Sequence, residues 1–172
     1  MIRLLKTSPT SPTHTTPSSK LRDHSSRGIS GAVYAVVRQA QEVTQELVYV
    51  KSRRIAKRNL TIPRLELIAG NMAVNFVTNA EVTLNNYQVE MHCWLYSTVA
   101  LYWIKGKGNY RQFVANRAQK IQQHNQATWH RVPTSENPAD LGSKGGDVVK
   151  NQLWREDPAW LRNRSEWLPD VN

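Results

Sequence analysis

At 172 residues the chain has room for one domain of ordinary size, and its 40 % hydrophobic and 21 % charged residues make a soluble globular composition rather than a disordered one. No apolar run approaches the ~20 residues needed to span a bilayer, and the lone Cys93 excludes an internal disulfide and a Cys-rich zinc site. The 23 Lys+Arg against 13 Asp+Glu leave a net charge of +10. Nucleic acid is the commonest partner of so basic a chain, although a solvated basic surface accounts for the charge equally well at this level.

Residues 1–20 are rich in Ser, Thr and Pro and carry no acid, so they read as a disordered tail with too little apolar surface to offset ordering entropy. Arg3 and Lys6 suit a mitochondrial leader, but Pro9, Pro12 and Pro17 oppose the amphipathic helix such leaders form. With no targeting signal, an intracellular site, cytoplasmic or nuclear, is expected. From Gly28 the pattern changes. Ile29 and Ala32 to Val37 predict a buried strand, and Leu47 to Val50 a second one, joined by a polar turn over Ala40–Gln45 as a hairpin. Lys51 to Arg64 then carries six positive charges and no acid.

Thr61-Ile62-Pro63 reads as a helix start, and Leu65, Ile68, Ala69, Met72, Phe76 and Val77 extend an amphipathic helix over about Pro63 to Ala80. Val89 to Leu95 predicts a strand, Ser97 to Ile104 a short apolar helix ended by Gly106 and Gly108, and Tyr110 to Gln123 a further helix. Thr128 to Val132 is a short strand; Asn137 to Leu141 opens a last helix before Gly145-Gly146. The tail from Trp154 to Pro169 holds Trp154, Trp160 and Trp167 among charges. The order β-β-α-β-α-α-β-α is an α/β layer fold, a mixed sheet with helices packed on it. A further strand before Asp23 would complete it, but Pro17 to Arg22 lack the apolar alternation of one.

With few acids, their placement is informative. Two-metal nucleases hold two Mg²⁺ ions ~3.5–4 Å apart with carboxylates from different elements. Asp23 lies before the first strong strand, Glu66 one turn into the long helix and Asp140 at the start of the last helix, so the three could converge. Helix-dipole placement explains Glu66 and Asp140 just as simply. Cys93, in an apolar run, reads as a buried structural thiol.

Several segments carry a family resemblance. Asp23-His24-Ser25 followed by Gly28 to Tyr34, Thr61-Ile62-Pro63-Arg64-Leu65-Glu66-Leu67, Cys93-Trp94-Leu95-Tyr96-Ser97-Thr98-Val99-Ala100-Leu101, Phe113-Val114-Ala115-Asn116-Arg117, and Val132-Pro133-Thr134 with Asn137-Pro138-Ala139-Asp140-Leu141 occur in order between Asp23 and Pro169. They resemble the ribonuclease H-like segment of BEL/Pao-type retrotransposon polyproteins. That resemblance implies a ribonuclease H-like fold over residues 21–150, and in residues 151–172 a Trp-rich extension toward the integrase region of such polyproteins. It also implies cleavage of RNA in RNA–DNA hybrids by two-metal hydrolysis with Mg²⁺ as cofactor.

Carried over by position, Asp23, Glu66 and Asp140 are metal-binding catalytic carboxylates, and the fourth belongs where this chain has Tyr96. A phenol, with a reference pKa of about 10, is neutral at pH 7 and bulkier than a carboxylate. The expectation is a degenerate active site, and one nucleotide change from an Asp to a Tyr codon suffices to explain it. The basic residues Lys51, Arg53, Arg54, Lys57 and Arg58, and the run Lys105, Lys107, Arg111 and Arg117, are candidate contacts to the phosphates of a hybrid. His130-Arg131 reverses the family's order, so His130 reads as a strand residue without a catalytic task. Two alternatives stand beside an impaired polyprotein fragment: a host-reused binding module, and a weakly active one-metal ribonuclease H. No nucleophile–base pair and no Asp-Thr-Gly motif suggests a peptidase.

Overall fold

The computed structural model of the chain describes residues 2–6, 28–39, 42–55, 60–83, 89–144, 147 and 149–167. Among the described residues five strands, β1 (Ile2–Lys6), β2 (Gly28–Gln39), β3 (Glu42–Arg54), β4 (Met91–Leu95) and β5 (Ala127–Arg131), form one sheet in the order β3-β2-β1-β4-β5. β2 is antiparallel to both β1 and β3, whereas β4 is parallel to β1 and to β5. Parallel neighbours need crossover connections. The long helix α1 (Ile62–Thr83) and the pair α2 (Thr98–Lys105) and α3 (Gln112–Gln122) make those crossovers; α4 (Ala139–Lys144) and α5 (Gln152–Arg155) follow the last strand. This is a mixed α/β layer fold of the ribonuclease H-like kind.

Alternation along β2 divides the core. Ile29 and Val33 face α1 with Leu65, Leu67, Val74 and Val77, while Ala32, Tyr34 and Val36 face the opposite layer with Trp94, Val132, Ala139 and Leu161. β4 alternates likewise: Met91, Cys93 and Leu95 lie in the helical layer and Trp94 in the other. Both faces of β4 are covered, which is why it reads as a continuous apolar run. The Cys93 thiol is buried.

Three expectations change. The central strand β1 is Ile2–Lys6, inside the segment read as a tail, while the residues just before Asp23 lie outside the described residues. Five residues suffice because β2 and β4 supply hydrogen bonds on both edges. The hairpin is tighter than predicted: β3 already starts at Glu42, within the expected turn Ala40–Gln45. An edge strand tolerates such polar residues, since only one face is packed, and a register shift opposite Val33/Tyr34 absorbs the surplus residue. Third, the Trp-rich residues past 150 do not stand apart. Trp160 and Trp167 pack on Trp94 with ring centroids 5.4 and 5.1 Å away, closing the second face of the sheet.

Candidate functional site

The carboxyl end of β4 presents Tyr96. The strand stops at Leu95, Tyr96 bends out of it, and the next residue, Ser97, caps α2 by accepting a hydrogen bond from the Ala100 amide at 3.2 Å. Tyr96 is thereby fixed between a buried strand and a capped helix, yet the residue remains 38 % exposed. β1 runs parallel to β4, with Leu4 opposite Cys93, so the ends of these two central strands lie side by side.

Glu66 sits in α1 beyond its first turn, between Leu65 and Leu67, and all three are buried. A carboxylate is almost never fully buried unless it is paired or works in a site. At 0 % exposure, Glu66 is not an ordinary first-turn acid placed for the helix dipole. Asp140 lies on the opposite layer in the first turn of α4. The local sequence explains its position: Asn137 is buried, its Oδ1 accepts from the Ala139 amide at 3.1 Å, and Pro138 follows at the helix start. The Asp140 amide donates to the Asn137 carbonyl, and Ser143 Oγ donates to the Asp140 carbonyl. Asp140 lines a cavity of about 410 Å³ together with Thr134, Ser135 and Lys150.

What brings α4 close is Gly142. A Cβ there would run into the hydroxyls of Ser30 on β2 and Ser52 on β3, which bond each other at 3.0 Å. Thus α1 and α4 carry their acids over opposite faces of the sheet, and both helices pack on β1 and β2. Asp23, the remaining predicted ligand, lies outside the described residues. Among the described residues, no group of three His, Cys, Asp or Glu side chains could hold a metal ion. Glu66, Asp140 and a phenol at 96 do not by themselves fit a two-metal centre.

The predicted phosphate contacts separate into two surfaces. On β3, Lys51, Arg53 and Arg54 are exposed, and Lys51 and Arg53 line a groove of about 470 Å³ against Asn71, Asn75 and Phe76 of α1. Lys57 and Arg58 lie outside the described residues. The second surface follows α2 and α3, where Lys105, Lys107 and Arg111 are exposed and Arg117 is half-buried. Partial burial pushes the pKa of Arg117 down.

A third cluster went unread in the sequence. His92 and His130 on adjacent strands approach through Nδ1 and Nε2 at 3.0 Å, both buried, and Trp167 packs on both rings. His92 Nε2 also meets Glu90 at 3.3 Å; this hydrogen bond, with nearby Arg164, holds the Glu90 carboxyl below its usual range. His130 thus has a structural place. Alternating His-x-Trp on β4 opposite Trp-His on β5 was the signal, but it identifies the pair only once the register is known.

A family model, the Pao retrotransposon-like RNaseH-like domain, matches residues 12–97, half of the chain. The chain belongs to this family. The match spans Asp23, Glu66 and Tyr96, so the comparison of Tyr96 with the family's expected aspartate falls inside the matched stretch. No curated protein matches the chain. For this Pao-family domain, no helix among the described residues is long and apolar enough to cross a membrane.

Proposed function

We propose that this Pao-family domain is a ribonuclease H-like segment of a retrotransposon polyprotein that still binds nucleic acid but has lost most of its hydrolytic capacity. The observation that carries the reading is Tyr96. It stands at the exposed end of the central strand β4, beside the end of β1, where the family resemblance calls for a carboxylate. Two-metal hydrolysis depends on clustered negative charge to hold the cations between which the phosphodiester is cleaved. A neutral phenol supplies none, and its ring occupies the space a smaller carboxylate would leave.

Binding is less sensitive to this change. Phosphate contacts depend on cations spread over a surface, and the net charge of +10 and the two basic surfaces supply them. An RNA–DNA hybrid is the partner that the family reading favours, met in the cytoplasm or nucleus. The test is to incubate the chain with a labelled hybrid and Mg²⁺, with Glu66→Gln in parallel. The expected result is salt-dependent binding with cleavage no faster than that of the variant. Robust Mg²⁺-dependent cleavage that Glu66→Gln abolishes would overturn the reading.

A further inference from the structure

Two of the segments that carry the family resemblance meet in space. Arg64 belongs to the first turn of α1, and Phe113 and Arg117 lie one turn apart on α3. The Phe113 ring is anchored by packing on the apolar cluster of Ile29, Leu60, Leu65 and Ala69. The Arg117 guanidinium lies 3.8 Å from the ring centroid and that of Arg64 lies 5.4 Å from it. Arg117 Nη1 donates to the Phe113 carbonyl at 3.0 Å, which fixes its side chain along the helix.

Stacking on an aromatic face restrains a guanidinium while leaving most of its five donors available. Among the described residues, neither Arg64 nor Arg117 has a carboxylate within ion-pair distance. Two like charges held on one ring repel each other, and the half-burial of Arg117 weakens the solvation that would offset this. An anion reaching both would relieve repulsion and desolvation together. Guanidinium geometry matches the oxygens of a phosphate. By contrast, Lys105, Lys107 and Arg111 are exposed and must lose side-chain freedom on each contact.

We propose that Arg64 and Arg117, held on the ring of Phe113, form a preorganised site for one phosphodiester group of a nucleic-acid backbone, joining the two basic surfaces across α1 and α3. The identity of the ligand rests on the nucleic-acid reading above; the geometry does not.

The test uses the full chain labelled with ¹⁵N. The arginine Nε–Hε resonances of Arg64 and Arg117, assigned with Arg64→Gln and Arg117→Gln, are followed during separate titrations with inorganic phosphate and with an RNA–DNA hybrid. Both resonances are expected to move with each ligand. The double variant is expected to lower the salt slope of hybrid binding by about 0.9, the contribution of one phosphate contact. Phe113→Leu, which keeps both charges and an apolar anchor, is expected to weaken hybrid binding by a smaller factor. Movement with phosphate but no affinity for hybrid would support the anion site and overturn the nucleic-acid reading. Hybrid binding with an unchanged slope and unmoved arginine resonances would overturn the site and leave that reading standing. Resonances that move with neither ligand would also overturn it.

Discussion

Tyr34 shows how one buried atom sets a measurable property. Its side chain is fully buried on β2 between the sheet and the C-terminal segment, and its hydroxyl finds no hydrogen-bond partner among the described residues. Burial, and then the charge of Asp157, push its pKa well above the usual phenol range. The stability linked to this group is fully present below its unfolded pKa of about 10 and is lost as pH rises beyond it. Tyr34→Phe should therefore be neutral to stabilising by about 1 kcal/mol at pH 7, because it deletes an unsatisfied hydroxyl without emptying the core. The variant should also resist alkaline unfolding better than the native chain, as chemical denaturation at pH 7 and pH 11 would reveal. Asp157 shifts the same way, through burial first and the charge of Glu46 second, at a backbone φ of 57°.

Docking of an element can hinge on the smallest side chain. α4 reaches the sheet through Gly142, where any Cβ meets Ser30 and Ser52. Gly142→Val should push α4 off β2 and β3, lower stability by about 1–3 kcal/mol, and move Asp140 with it. Thermal unfolding measures the first effect, and amide exchange at residues 139–143 the second. Which elements were legible in the sequence follows from how local their causes are. α1, α2, α3 and β4 were readable because their apolar periodicity, capping Ser97 and terminating Gly106 lie within each segment. β1 was not. Three apolar residues beside a Ser/Thr/Pro tract become a central strand only when β2 and β4 flank them. The start of β3 was missed because edge strands tolerate the polar residues that also make turns. Glu66 and Asp140 stand out as candidates through the motifs around them, whereas the Arg64–Phe113–Arg117 stack and the His92–His130 pair depend on helix packing and strand register.

At the scale of the molecule, the C-terminal segment belongs to the core. Trp160 and Trp167 pack edge-on against Trp94, at 67° and 90°, over the second face of the sheet, with Leu161 fully buried in the same cluster. Losing a packed Trp side chain costs about 3–5 kcal/mol, a large share of the stability of a domain this size. Trp160→Ala and Trp167→Ala should each lower the melting temperature by several degrees, and the double variant should expose the sheet to limited proteolysis. A separate, loosely attached extension would show neither effect. The same face holds α4, so integrity of the tail and the position of Asp140 are linked through one layer.

The proposed loss of hydrolysis turns on one side chain, Tyr96. The most direct measurement is cleavage of an RNA–DNA hybrid in Mg²⁺ by the native chain and by Tyr96→Asp, side by side. Restoring the carboxylate should raise the rate by on the order of 100-fold or more. Equal rates in the two proteins, whether both fast or both absent, would contradict the assignment of the defect to Tyr96.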